Sequence, residues 1–219
     1  MELQGKKMVF LGDSITEGAG VSDPANRYWE RLARRTGAVC VGYGIGGTRI
    51  ARQQHPVPDQ YHDFHHFSTR LAEMDKDADI VVIFGGVNDF GHGDAPFGTF
   101  TDRTEDTFYG ALHVLYTAVL EQYPEAQIVV MTPTHFSAEW DHAGETGPGR
   151  KRSLREYVEA IREVAEYYAL PVLDLYRVSG IQPLVPAMRD RYMPDGLHPN
   201  DAGHARIEEK LFAFLHTLA

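Results

Sequence analysis

The sequence predicts an α/β protein, a three-layer α/β/α sandwich with a parallel sheet covered by helices on both faces. Three observations point there. Short apolar runs recur along the chain, continuous rather than alternating, as strands buried on both faces read. Longer stretches with apolar residues three and four apart separate them, the spacing of amphipathic helices. No repeat, low-complexity segment or linker interrupts this alternation, so residues 1–219 are expected to form one domain, long enough to bury a core without disulfide or metal.

The elements follow in order. Lys7 to Gly12 (KMVFLG) reads as the first strand and Ala38 to Tyr43 (AVCVGY) as the second. Asp79 to Gly85 (DIVVIFG) is the strongest, with a continuous apolar run that is β-branched from Ile80 to Ile83. Gln127 to Thr132 is a fourth and Pro171 to Leu175 a weaker fifth. Helices are expected over Tyr28 to Arg35 and around Phe67 to Met74. Phe108, Leu112, Leu115, Tyr116, Val119 and Tyr123 share one helical face; Leu154, Tyr157, Val158, Ile161, Val164, Ala165 and Tyr168 share another. Ser153 and Glu156 form a capping box before the latter. Asn200 or Asp201 caps a final helix carrying Ile207, Leu211, Phe214 and Leu215. Two stretches, Phe90 to Thr107 and Thr134 to Lys151, carry no periodic signal and read as long loops. Strand–helix alternation with right-handed crossovers gives the layered sandwich.

Composition narrows the function. With 21 basic and 31 acidic residues the formal charge is −10, which argues against nucleic acid or an anionic membrane surface as partner. The longest apolar run, Ile80 to Val87, is far short of the roughly 20 residues that span a bilayer. Residues Met1 to Lys7 lack the apolar core of a signal peptide, so a cytoplasmic location is expected. The lone cysteine, Cys40, sits in a predicted strand and reads as a buried thiol without chemistry.

In such folds ligands bind beyond the carboxyl ends of the strands. Gly12-Asp13-Ser14-Ile15-Thr16-Glu17-Gly18 follows the first strand, Gly44-Ile45-Gly46-Gly47-Thr48 the second and Gly85-Gly86-Val87-Asn88-Asp89 the third; Asp195-Gly196-Leu197-His198-Pro199-Asn200 precedes the last helix. A serine hydroxyl becomes a nucleophile when a histidine takes its proton. An aspartate three residues before the histidine can hold Nδ1 and leave Nε2 for the serine. An oxyanion then needs N–H donors, which a glycine backbone, an asparagine amide and the N-terminus of a helix can supply. Each block alone is compatible with an ordinary turn or cap. Their joint occurrence, in order and at element boundaries, favours chemistry.

These four blocks resemble the SGNH (GDSL-type) hydrolases: Gly12-Asp13-Ser14 with Ile15-Thr16, then Gly47, then Gly86-Val87-Asn88-Asp89, then Asp195-Gly196-Leu197-His198. The resemblance implies Ser14 as nucleophile, His198 as base and Asp195 as its partner, with Ser14, Gly47 and Asn88 as the oxyanion hole. It further implies a flavodoxin-like five-stranded sheet in the order 2-1-3-4-5, and esterase or acylhydrolase activity without a cofactor. One departure is Gly42, where many members carry asparagine five residues before the block-two glycine.

Around these blocks, Asp13, Phe90, His92, His135 and Trp140 are expected to contact a substrate, because the loops that hold them mix aromatic faces with polar groups. Such a lining suits a compact polar ester, and the first expectation is an acetyl group on a carbohydrate. A lysophospholipase or thioesterase of the same fold and a non-catalytic binding module are the alternatives. Gly44-Ile45-Gly46-Gly47 does not complete a dinucleotide fingerprint, which disfavours an oxidoreductase. His62 and His66 have ligand-like spacing but no H-E-x-x-H frame, so they read as a solvated segment and no metal is expected. Tyr28 and Trp29 read as core or pocket wall. The expected partner is a small-molecule ester, with neither nucleic acid nor membrane.

Overall fold

The computed structural model describes residues 2–141 and 152–218. In chain order its elements are β1 (Lys7–Gly12), α1 (Ser14–Glu17), α2 (Tyr28–Thr36), β2 (Val39–Gly44), α3 (Tyr61–Phe64), β3 (Ile80–Phe84), α4 (Val87–His92), α5 (Phe108–Gln122), β4 (Gln127–Met131), α6 (Leu154–Tyr167), β5 (Val172–Leu173), α7 (Leu175–Val178), α8 (Pro186–Tyr192) and α9 (Asp201–Leu215). All strand pairs are parallel, in the order β2-β1-β3-β4-β5. This is the arrangement that the sequence resemblance implies.

Alternation along each strand divides the core in two. Val9, Leu11, Val81, Ile83, Ile128 and Val130 face one side, where α5 and α6 cover them with Leu112, Leu115, Val158 and Ile161. Met8, Phe10, Ile80, Val82, Val129 and Met131 face the other and pack on Leu32 of α2 and Ile207 and Leu211 of α9. The central β3 is buried along its whole length, which is why its sequence carries no alternation.

Local chemistry sets the helix ends as expected. Ser153 and Glu156 complete a reciprocal capping box on α6, and Asn200, not Asp201, caps α9 by accepting from the N–H groups of Ala202 and Gly203. Tyr28 is fully buried and Trp29 nearly so. Trp29 Nε1 donates to the carbonyl of Thr16 at 2.8 Å, and its indole lies so close to Gly42 that a Cβ there would sit 2.6 Å from the ring. The indole thus fills the space that a side chain at position 42 would need.

Several expectations differ from the structure. Phe67–Glu73 is a 3-10 helix rather than an α-helix. The first long loop begins as helix, since α4 runs to His92. β5 is two residues long, because Asp174 caps α7 and ends the strand. Cys40 is only partly buried, since β2 is an edge strand; desolvation still pushes its thiol up to about 12. Among the described residues no helix is long and apolar enough to cross a membrane.

Candidate active site

β1 ends at Gly12, and the chain turns at once into α1. Asp13 caps that helix: its Oδ1 accepts from Ile15 N at 3.0 Å. Ser14 is therefore the first helical residue, and its N–H is one that the helix leaves unpaired. The side chain of Asp13 is turned inward and buried, and desolvation pushes its pKa up to about 6. Arg70 stiffens this corner from beneath. Fully buried, it donates to the carbonyls of Gly12 at 3.0 Å and Tyr43 at 2.8 Å and to Thr48 Oγ1 at 3.2 Å. It joins the carboxyl ends of β1 and β2.

On the other side, Asp195 organises the turn before α9. Its Oδ1 accepts from Leu197 N at 2.9 Å and from His198 N at 2.7 Å, and its Oδ2 lies 2.7 Å from His198 Nδ1. Burial alone would raise its pKa, but these N–H donors and the imidazole outweigh burial and hold it below the usual carboxylate range. An ionised carboxylate only accepts, so Nδ1 carries the proton and Nε2 presents a lone pair. That lone pair faces Ser14 Oγ at 3.1 Å. Neighbouring loops clamp this turn: Ser22 N donates to Asp201 Oδ1 at 2.9 Å, and Ser137 N donates to Gly196 O at 2.9 Å.

Block two wraps toward Ser14. Glu17 Oε2 accepts from Gly46 N at 2.9 Å, and Gly44 pairs with Gly12 in the sheet. Glu17 thus occupies the Gly46 N–H, whereas no hydrogen bond engages the Gly47 N–H among the described residues. Its φ of +74° suits glycine, and His62 packs so closely that a Cβ would lie 3.0 Å from the ring.

Block three locks block two. Buried Asp89 accepts from Ile50 N and Ala51 N, both at 2.9 Å. Desolvation outweighs these bonds and pushes its pKa up to about 7. Asn88 Nδ2 donates to Thr48 O at 3.0 Å, which leaves its second N–H for a ligand. Next to Asn88 opens a cavity of about 290 Å³, walled by Val87, Phe90, Phe136, Ala138, His92 and Leu197.

The structure thus brings Ser14, His198 and Asp195 into one hydrogen-bonded line. The residues expected to contact substrate divide. Phe90 and His92 line the cavity, although Phe90 is otherwise core, stacked edge-on with Phe136 and Tyr157. Asp13 is a buried helix cap and borders not this cavity but a much smaller one beside His135. His135 pairs with buried Glu139 at 2.9 Å and lies against Tyr176, beside a much smaller cavity that Leu197 also lines. Trp140 is half exposed and forms no part of the 290 Å³ wall. His142, in the second long loop, lies outside the described residues. His62 and His66 join no group of three metal-ligating side chains among the described residues. Sequence reasoning missed Arg49 and Arg70, and it read His62 as part of a solvated segment. The one signal was the presence of arginines among apolar neighbours.

Comparison with known proteins identifies the family. The family model of the GDSL-like lipase/acylhydrolase family matches residues 10–206. The chain is 28% identical over 207 residues to the GDSL lipase Rv0518 of Mycobacterium tuberculosis, covering 92% of this chain and 78% of that one. A crystal structure of a protein from Lactobacillus plantarum superposes with a TM-score of 0.83 at 31% identity, over 98% of both chains. The acetyl xylan esterase AlAXEase superposes with a TM-score of 0.64 at 25% identity, over 94% of this chain and 98% of that one. The chain therefore belongs to the GDSL-like lipase/acylhydrolase family and is a carboxylic ester hydrolase.

Proposed function

We propose that the protein hydrolyses short-acyl esters, with an acetylated carbohydrate as the preferred substrate, through an acyl-enzyme on Ser14. The observation that carries this reading is the line Ser14 Oγ–His198 Nε2, 3.1 Å, and His198 Nδ1–Asp195 Oδ2, 2.7 Å. His198 takes the hydroxyl proton as Ser14 Oγ attacks the ester carbonyl. The N–H groups of Ser14 and Gly47 and the Asn88 amide receive the negative charge that develops on the carbonyl oxygen. His198 returns the proton to the departing alkoxide. Water then loses a proton to the same nitrogen, attacks the acyl-serine and frees the acid and Ser14. Nε2 must therefore be unprotonated at both attacks.

The substrate class rests on the cavity beside Asn88. Its volume of about 290 Å³ and its wall of Val87, Phe90, Phe136 and Leu197 suit a small apolar acyl group. Similarity to an acetyl xylan esterase supports a sugar leaving group. A longer lipid ester is the second reading, favoured by the mycobacterial relative. Acetyl, butyryl and longer p-nitrophenyl esters, followed by acetylated oligosaccharides, lysophospholipids and acyl-CoA, decide between them. Falling kcat/KM with chain length and turnover of the acetylated oligosaccharide are expected. A preference that rises with chain length overturns the short-acyl assignment.

A further inference from the structure

We infer that His92 is a positioning residue which, held by Arg49 and Asp63, fixes the orientation of the Asn88 amide toward the oxyanion. This rests on the reading of Ser14 and Asn88 given above. An asparagine amide has two ends of nearly equal shape, and only one of them donates. Flipped, Asn88 would turn its oxygen toward both the carbonyl of Thr48 and the developing oxyanion, and a donor would become a repulsion. The Thr48 contact at 3.0 Å favours the productive orientation, and a second restraint acts on the other end: Asn88 Oδ1 lies 3.0 Å from His92 Nε2.

Whether His92 donates there depends on its other nitrogen. An Arg49 guanidinium N–H meets His92 Nδ1, and arginine has no acceptor, so Nδ1 must accept. The ring proton is thereby assigned to Nε2, from which it is donated to Asn88 Oδ1. Arg49 is held in turn. It is buried, it pairs with buried Asp63, and its Nη2 also reaches the His92 carbonyl at 3.3 Å. The second oxygen of Asp63 accepts from Val57 N at 2.8 Å. A buried ion pair thus sets a tautomer, and the tautomer sets an amide. His92 lines the cavity through its ring carbons, since both nitrogens are engaged.

A double-mutant cycle tests it, with p-nitrophenyl acetate turnover and melting temperature as readouts. Removing a preorganised donor of this kind costs roughly 100- to 1,000-fold, so Asn88→Ala should lose about that much in kcat. His92→Phe keeps a ring and removes the donor; it should lose about 10- to 100-fold in kcat with KM within about twofold, part of the effect of deleting the amide itself. In the Asn88→Ala background the same change should cost less than about threefold, because the group it orients is gone. His92→Gln, whose amide can donate to Asn88 Oδ1, should recover most of the loss. Equal losses from His92→Phe in both backgrounds, or no loss in either, overturn the proposal. Should His92→Phe not fold, Arg49→Lys reports on the same chain: it keeps the charge against Asp63 and lacks the planar fork, and its loss in kcat must likewise vanish without Asn88. Fluorophosphonate labelling of the wild type separates the two levels. If Ser14 is unlabelled, the reading beneath fails; if Ser14 is labelled and the cycle is additive, only the relay fails.

Discussion

His204 links the fold to pH in a way that can be calculated. It is fully buried in α9, stacked on Tyr28, and its Nδ1 accepts from Tyr28 N at 3.1 Å. Protonation would both charge a buried ring and remove that acceptor. Desolvation accordingly lowers its pKa from 6.5 to about 4. The unfolded chain takes up a proton at this residue near pH 6.5, whereas the folded chain resists until about pH 4. Its contribution is therefore intact above pH 6.5 and is lost as pH falls through this window. At 1.36 kcal/mol per pH unit the loss comes to about 3 kcal/mol by pH 4. For a chain of this size that is roughly 6–12 °C in melting temperature. His204→Asn keeps an acceptor where Nδ1 stood and cannot titrate. Urea unfolding of both proteins at pH 7, 6, 5 and 4 isolates the residue, because every other titrating group is common to them. The wild type should lose about 3 kcal/mol more than the variant between pH 7 and pH 4. Parallel curves would refute the assignment of a neutral, buried acceptor.

Three further outcomes are expected. Asp195→Ala removes the acceptor that orients His198 and both turn bonds, and should lower kcat by at least about 100-fold while substrate affinity changes little; steady-state kinetics check it. Gly42→Ala drives a Cβ to 2.6 Å from the Trp29 indole and should cost about 1–3 kcal/mol in urea unfolding, with overpacking as the cause. Cys40, with its thiol pushed up to about 12 by desolvation, should react with a disulfide reagent at pH 8 far more slowly in the native protein than in urea, as absorbance kinetics would record.

Much of this molecule is legible in its residues, and the illegible parts share a cause. The strands announce themselves, since Ile80–Phe84 is apolar on both faces and can only be buried on both. The caps at Ser153 and Asn200 are local, each acting within three residues, and sequence spacing carries them. Short helices such as α3, α4 and α8 are not legible, because fewer than eight residues cannot sustain a helix without tertiary contacts. Asn88 reads as a turn residue for that reason, although it lies in α4. The site divides in the same way. Asp195 and His198 are three residues apart and can be paired on paper. Arg70 reaches Gly12 across 58 positions and Arg49 reaches His92 across 43, and no periodicity reports such a contact. The capping role of Asp13 is local, because its carboxylate finds a backbone donor two residues away and turns inward.

The central claim is that the hydroxyl of Ser14, aligned on His198, is the nucleophile. Intact-mass spectrometry after treatment with a fluorophosphonate tests it most directly, with peptide mapping to place the adduct. One adduct per chain on Ser14 is expected, formed with loss of fluoride and matched by loss of p-nitrophenyl acetate turnover; Ser14→Ala should give neither adduct nor turnover at an unchanged melting temperature. An adduct on another residue, or full turnover in Ser14→Ala, would contradict it.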